Sequence, residues 1–557
     1  MLRVWSAFGF FIIALVCIVS RLFWWQVVAS DDLQRQAQLQ YYLSFTLPAS
    51  RGEILSSDGK PLVINQPAYL VYAEPKNISD VSAFSKIVGP IIRQEPKDIV
   101  TQITIPNRVW VPLGRKIESR IVDELKTFAL SGLGFEKDTK RFYPEASLSA
   151  HMVGFVGSDE NGEDRGYFGL EGYYDRELHG KDGKIQQEKD VRGAPILVGE
   201  AKRFDPENGR NLILYMDRAI QYNAEKRLKE GIEKYGAKEG SVVIMDPKSG
   251  GVLAMASYPS YDEATYTTFS KDLYKNPIVA GSFEPGSTFK TLVMSAGLEE
   301  KRITPTTIMN EDGPVTIGEY TIRTWNDQYH GPITMSKVLE YSSNVGMVYV
   351  ANTLGKDTLL RYIHAFGFGK PTGIDLEEET SPDIREDAQW HDIDVATASF
   401  GQGIAVTPIQ MVRAVGALAN DGWLMQPQVV KELVDTNGKK VAIKPKKIRQ
   451  VISANTARII TEMMVSAVDL GEARWAKPAG YRIAGKTGTA QIPVAGHYDA
   501  KKTIASFIGF APADNPKFVM LVTLREPTSS PWGSETAAPL FFTIARDLFR
   551  YWGIPAQ

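Results

Sequence analysis

Residues 283–296 read Phe-Glu-Pro-Gly-Ser-Thr-Phe-Lys-Thr-Leu-Val-Met-Ser-Ala. Phe289, Leu292, Val293 and Ala296 fall at i, i+3, i+4 and i+7, the period of a helix with one buried face, and Pro285-Gly286 supplies the break before it. Ser287 therefore stands at a helix N-terminus, where unpaired backbone N–H groups and the positive end of the helix dipole favour a developing anion. Lys290 follows one turn later and faces the same way. A hydroxyl with an amine beside it begins an inventory for acyl transfer. The plain alternative is that Ser287 only caps the helix.

Two further strings stand downstream: Ser342-Ser-Asn344 and Lys486-Thr-Gly488. They add a second hydroxyl, an amide, a second amine and a Gly-containing strand edge. No string is informative alone. Ser57-Asp-Gly-Lys60 has the same Ser-x-x-Lys pattern, and Ser453-Ala-Asn455 the same Ser-x-Asn pattern. Asp58-Gly59 lies between the apolar runs 54–55 and 61–64, which predicts a hairpin turn there. The segment 339–350 reads as a helix-flanked loop in which Ser342 and Asn344 act on the reaction or merely cap the apolar run after Val345. Residues 480–487 match the nucleotide-binding pattern G-x-x-x-x-G-K-T literally. That pattern needs a strand before it and a helix after it. Here Lys477-Pro478-Ala479 precedes, and Gly488, Thr489 and Pro493 follow, so phosphate binding is not expected.

Working outward, Gly240-Ser-Val-Val-Ile-Met245 and Val252-Leu-Ala-Met-Ala256 read as strands joined by a turn, as do 486–492, 504–510 and 518–524, and 539–552 reads as an amphipathic helix. Strands at both ends with helices between predict an α+β layer architecture around an antiparallel sheet. At the N-terminus no residue from Val4 to Ser20 is charged, nor any from Leu22 to Ser30. About 20 apolar residues cross a bilayer core, so this segment is expected to span a membrane, with Arg21 snorkelling and Trp24-Trp25 in the interfacial belt. The competitor is a cleaved signal peptide ending near Val28-Ala29-Ser30. Residues 31–47 suit a short helix passing into a strand. The charged and Gly-rich stretch 181–210, with Pro195 and Pro206, is the expected domain junction. The expected division is 1–28 cytoplasmic end and anchor, 29–200 N-terminal domain, and 201–557 catalytic domain.

Composition narrows the chemistry. A formal net charge of -2 over 557 residues points to no nucleic-acid partner. The single Cys17 lies in the apolar segment, which removes thiol catalysis and intrachain disulfides. The histidines at 151, 179, 330, 364, 391 and 497 show no His-x-x-x-His pairing, so neither metal nor cofactor is expected. Ser287 lacks the G-x-S-x-G elbow of Ser-His-Asp hydrolases.

Phe-Glu-Pro-Gly-Ser-Thr-Phe-Lys (283–290), Ser-Ser-Asn-Val-Gly (342–346) and Lys-Thr-Gly-Thr-Ala (486–490) resemble the active-site motifs of penicillin-binding proteins. Ser343 in the middle of the second motif is similar to the monofunctional class B members. Arg51-Gly-Glu-Ile54, the stretch 150–157 and the stretch 169–175 resemble their N-terminal module. The resemblance implies a transpeptidase domain with a five-stranded antiparallel sheet between helical layers, an N-terminal α+β pedestal and one transmembrane helix. It implies a peptidoglycan D,D-transpeptidase on the outer side of a bacterial plasma membrane, without a cofactor. Ser287 would attack the D-Ala-D-Ala carbonyl of one stem peptide, and the amine of a neighbouring stem would resolve the acyl-enzyme. Lys290 or Lys486 would act on the Ser287 proton; burial and the charge of Lys486 would lower the Lys290 pKa. Ser342 would relay a proton, and Asn344 would orient Lys290 or bond the substrate amide. Thr487, Gly488 and Thr489 would hold substrate along the strand edge, with the N–H groups of Thr489 and Ser287 forming an oxyanion hole and Lys486 binding a terminal carboxylate. β-Lactams would acylate Ser287, and a membrane glycosyltransferase of the SEDS type would polymerise glycan, since nothing before residue 200 looks like such a module. Rival readings are a D,D-carboxypeptidase, a β-lactamase or β-lactam sensor, and a cell-wall scaffold with a vestigial site. No Glu-x-x-Leu-Asn string supports a β-lactamase and no second apolar span supports a sensor.

Overall fold

Five segments rich in β-branched and aromatic residues form the central sheet: Glu239–Met245, Val252–Tyr258, Ala484–Val494, His497–Ala511 and Phe518–Arg525. This is a computed structural model, and it describes residues 2–33, 42–106, 108–160, 162–188, 201–494 and 497–556. Taken in chain order, the strands lie in the sequence second, first, fifth, fourth, third, and every neighbouring pair is antiparallel. The Lys486 strand is therefore an edge strand, open on one side. Lys486 lies inside the strand Ala484–Val494, which continues where a helix would have to start, so the literal nucleotide-binding pattern lacks its phosphate cradle.

Alternation along the strands divides the core in two. Val242 and Ile244 share one face with Met520, Val522 and Phe507, and pack on the helices Arg218–Tyr235 and Ala537–Tyr551. Val243 and Met245 point the other way, with Val519, Leu521 and Ile508, towards the helices Pro408–Leu418 and Ala454–Leu470. Each such side chain removed from water contributes roughly 1.5–3 kcal/mol, so the layered packing of the sheet is what fixes its edge in place.

The Ser287 segment begins as a 3-10 turn, Gly286–Phe289, and continues as the α-helix Lys290–Glu299. One expectation is corrected here. Residues 290–298 are buried on every side, not on one face. The polar positions that made the pattern look amphipathic satisfy themselves within the helix: Thr291 Oγ1 donates to Thr288 O at 3.0 Å and Ser295 Oγ to Leu292 O at 2.7 Å. The helix can thus run through the helical lobe between Asn344–Leu354, Lys356–Ala365, Pro408–Leu418 and Ala454–Leu470.

Upstream, Pro61–Ala73 pairs with both Val111–Glu118 and Leu133–Phe142, and the helices Val81–Ile92 and Ser119–Thr127 cover Val71, Val88, Val122 and Leu125. Ile54–Leu55 lies antiparallel to 61–63 and parallel to Asn211–Leu214. The 150–157 and 169–175 stretches meet each other. Gly154 has φ +77°, and a Cβ there would fall 2.2 Å from Phe168 O, while buried Arg141 and Glu171 pair at 2.7 Å. Residues 52–178 and 210–557 form one compact unit.

The other unit comprises 1–51 and 179–209. In it Gly183–Glu188 pairs antiparallel with both Tyr42–Leu47 and Ala201–Phe204. The apolar N-terminal segment is helical, and Arg3–Val28, with mean hydropathy 2.2, is long and apolar enough to cross a membrane. Of the helix-to-strand expectation over 31–47, the strand is present and 34–41 lie outside the described residues. Residues 189–200 of the expected junction also lie outside them.

Candidate active site

Three anchors set the Ser287 turn. Gly286 adopts φ +53° and its N–H donates to Gly401 O at 2.9 Å; a Cβ on Gly286 would stand 3.2 Å from Thr489 O. Thr288, fully buried, donates through Oγ1 to Pro285 O at 2.6 Å. The turn is thereby pressed against the edge strand, and Ser287 remains half-buried at its surface.

Ser342 and Asn344 come from the link between the helices Met335–Glu340 and Asn344–Leu354. Ser342 takes φ +56°, and Ser343 caps the second helix, its Oγ accepting from Gly346 N at 2.8 Å. Ser343 Oγ also donates to the fully buried Glu311, whose other oxygen bonds His330 Nδ1 at 2.8 Å. Ser343 thus serves as the structural pin of the loop, a partnership no local sequence pattern announces.

The side chains converge. Ser342 Oγ and Ser287 Oγ share a hydrogen bond of 3.0 Å. Lys290 Nζ donates to Ser342 O at 2.6 Å, Ser342 Oγ at 3.3 Å and Asn344 Oδ1 at 2.8 Å, while Asn344 Nδ2 donates to Arg323 O at 2.9 Å. The hydroxyl joined to Lys290 is therefore that of Ser342, which in turn reaches Ser287. Lys290 is 0% exposed; burial first, and then the charge of Lys486, hold its amine well below the usual lysine range. Lys486, 4% exposed, is lowered by burial to about 8, with Glu472 opposing the shift. Lys486 Nζ donates to Thr487 Oγ1 at 3.0 Å and Thr487 O at 3.3 Å.

A cleft of about 470 Å³ opens over this network, lined by Ser287, Ser342, Asn344, Thr487 and Thr489. Thr489 Oγ1 accepts from Gly533 N at 3.0 Å, tying the edge strand to the 531–533 segment. Gly488 does not line the cleft. A Cβ there would fall 2.4 Å from Ser506 Oγ and 2.8 Å from Thr288 Cγ2, so the protein's own side chains occupy the space that glycine leaves. Arg323, Trp325, Phe400, Glu472 and Trp532 also line the cleft and escaped the sequence reading. Trp325 and Trp532 meet edge-to-face at 5.1 Å. They lie outside the three strings and carry no spacing signal, so only folding brings them in.

The decoy strings do other work. Ser57–Lys60 forms the exposed turn closed by Ser56 N to Lys60 O at 2.9 Å, between the paired strands predicted for it. Ser453 caps Ala454–Leu470 and donates to Glu299 Oε2 at 2.8 Å.

Comparison with known proteins places the chain in a family. A model of the penicillin-binding protein transpeptidase domain matches residues 240–548, and one of the penicillin-binding protein dimerisation domain matches 46–214. The chain is 34% identical over 545 residues to stage V sporulation protein D of Bacillus subtilis, covering 97% of this chain and 84% of that protein. It is 29% identical to the peptidoglycan D,D-transpeptidase FtsI of Escherichia coli, covering 97% and 90%. Among solved structures, a peptidoglycan synthetase from Bifidobacterium adolescentis superposes with TM-score 0.76 at 25% identity over 93% of this chain and 98% of that one. Penicillin binding protein 3 of Mycobacterium tuberculosis, in complex with aztreonam, superposes with TM-score 0.72 at 27% identity over 92% and 98%. With both domain models matched in order and a relative similar over nearly its whole length, this chain belongs to the class B penicillin-binding proteins.

Proposed function

We propose that the chain cross-links peptidoglycan stem peptides as a serine D,D-transpeptidase through a Ser287 acyl-enzyme. The observation that carries this reading is the hydrogen-bonded line Ser287–Ser342–Lys290, ending on a lysine whose pKa burial pulls well below the usual range. As Ser287 Oγ attacks the penultimate D-Ala carbonyl, its proton passes to Ser342 Oγ and that of Ser342 to Lys290 Nζ. The oxyanion meets the N–H groups of Ser287 and Thr489, a reading supported by the close packing of the Gly286–Phe289 turn on the Ala484–Val494 strand. Lys486 and Thr487 take the terminal carboxylate, and the peptide lies along the open edge of the Ala484–Val494 strand. Gly488 lets the turn carrying Ser287 approach that strand. Lys290 returns its proton to the departing D-alanine amine. A stem amine then forms the new amide, the Ser287 Oγ–C bond breaks, and the proton returns to Ser287 along the same line.

The same site accounts for acylation by β-lactams, in keeping with the aztreonam complex of the mycobacterial neighbour. The Arg3–Val28 helix serves as the membrane anchor with the catalytic domain on the outer face, and the division 1–28, 29–200 and 201–557 gives anchor, pedestal and transpeptidase domain. A membrane glycosyltransferase of the SEDS type is the proposed partner, by analogy with the family. The test is stoichiometric labelling by a fluorescent penicillin, with product analysis on a stem pentapeptide. Cross-linked product when an amine acceptor is supplied supports transpeptidation; hydrolysis alone, with acceptor present, indicates a D,D-carboxypeptidase. Labelling retained at full stoichiometry in Ser287→Ala would overturn the assignment.

A further inference from the structure

Glu472 lies at the mouth of the loop that follows the helix Ala454–Leu470, half-buried, and it is the one carboxylate among the described residues that line the Ser287 cleft. Nearby acids elsewhere in the molecule are committed. Glu311 holds Ser343 and His330, Glu340 accepts from Ser466 and pairs with Lys337, and Glu299 binds Ser453. Glu472 makes no hydrogen bond and no close ion pair among the described residues, although its charge reaches both Lys290 and Lys486. A half-buried carboxylate that lines the cleft and spends neither oxygen on a described side chain is free to accept charge-assisted hydrogen bonds from a cation that enters.

The reaction supplies one such visitor. The acyl acceptor is a primary amine, which in water at neutral pH is an ammonium, because alkyl amines of this kind titrate near about 10.4. We propose that Glu472 binds the incoming ammonium of the acceptor stem, so that this cleft selects a cationic diamino side chain over water and over neutral nucleophiles. This rests on the transpeptidase reading above and adds the acceptor subsite to it. The ammonium docks against Glu472 and sheds one proton to solvent. The free amine then attacks the acyl carbon; the N–C bond forms and the Ser287 Oγ–C bond breaks. The amine's second proton passes to Lys290 and through Ser342 to Ser287. Atoms balance without any further co-reactant. Arg323 also lines the cleft, and its guanidinium pairs with Asp327 at 3.3 Å and not with Glu472.

The test uses the full-length chain in detergent, a stem pentapeptide donor, and two acceptors: a stem peptide ending in a cationic diamino side chain, and hydroxylamine, which is neutral at the assay pH. The readout is the ratio of aminolysis to hydrolysis product by mass spectrometry. That ratio is counted per acyl-enzyme and is therefore independent of how much protein is folded. Glu472→Gln is expected to lower the ratio about tenfold for the cationic acceptor, through a higher acceptor KM, with the hydroxylamine ratio held and Glu472→Asp recovering part of the loss. An equal fall for both acceptors would overturn the proposal and make Glu472 a counter-charge for the two lysines. No change for either acceptor would also overturn it. A native chain that forms no acyl-enzyme with penicillin would sink the transpeptidase reading itself, which separates that failure from this one.

Discussion

Two Ser-x-x-Lys strings occur in this chain, and the fold treats them in opposite ways. Ser57–Lys60 is exposed throughout, and its neighbours spend their polar groups locally, Ser56 Oγ donating to Asp58 and to Lys60 O. Ser287–Lys290 sits where a turn enters a helix that is buried on every side, with Lys290 held by Ser342 and Asn344. The pattern is the same and the solvent is not. A lysine in water is an ammonium and no base; burial disfavours that charge and pulls the pKa of Lys290 down. The comparison breaks most sharply on the nucleophile. Ser287→Ala is expected to cut the rate of acylation by a fluorescent penicillin by about 10⁴-fold or more, while Ser57→Ala labels at the native rate. Equal loss in the two variants would end the distinction.

The lysines give the next contrast. Lys290→Arg keeps a permanent cation where an amine is required, so acylation should fall by about 10³-fold, and Lys60→Arg should change nothing measurable. A native rate in Lys290→Arg would show that the residue acts only by its charge. The pH profile sharpens this. Acylation should rise as Lys290 sheds its proton, at a pH well below the ordinary lysine range, and fall as Lys486 loses the charge that binds the carboxylate of the drug, near pH 8. Stability moves the other way. A lysine whose pKa is depressed on folding binds fewer protons folded than unfolded, so the contribution of Lys486 to stability grows as pH rises from about 8 towards 10.5. Activity lost on that limb with urea midpoints unchanged or higher identifies titration; a parallel fall in the midpoint would mean unfolding.

How much of this was legible in the residues follows from what each feature depends on. The five strands were readable because their apolar runs are local and long, and the hairpin at Asp58-Gly59 because a turn is written in adjacent residues. Ser287, Lys290, Ser342, Asn344 and Lys486 were readable only as an ordered set, since Ser-x-x-Lys and Ser-x-Asn each also occur as a decoy and Lys486-Thr487 also ends a literal nucleotide-binding pattern. The all-round burial of Lys290–Glu299 was not readable. Thr291 and Ser295 look like a solvent face until their hydroxyls are seen bonding their own helix. Glu311, Glu472, Trp325 and Trp532 were silent for a different reason: each is far in sequence from what it serves, and nothing in its neighbours marks it.

The Ser-x-Asn strings repeat the lesson at smaller cost. Ser343 and Ser453 both cap helices, but Ser343 also satisfies buried Glu311. Ser343→Ala is therefore expected to lose the cap and leave a buried carboxylate oxygen short of a donor, about 2 kcal/mol or more by urea denaturation, with slower acylation as the Asn344 loop loosens. Ser453→Ala should lose only about 1 kcal/mol, acylating as the native chain does, because Glu299 is partly exposed and can bond water.

The smallest effect belongs to the exposed turn, and it tests whether position alone separates the two Ser-x-x-Lys strings. Asp58 is held below its usual carboxylate range chiefly by the Ser56 hydroxyl, and it accepts from Lys60 N at 3.4 Å. Asp58→Ala should therefore cost only a few tenths of a kcal/mol, in line with surface substitutions generally, and should leave penicillin labelling of Ser287 unchanged. Because Asp58 belongs to the same compact unit as the catalytic cleft, a thermal melt reads the turn and labelling reads the site on one sample. A melt shifted little with labelling intact keeps the second string as a hairpin and no more. Labelling that fell with the melt unmoved would mean that the turn reaches the cleft, and that the two strings are less independent than their solvent exposure makes them.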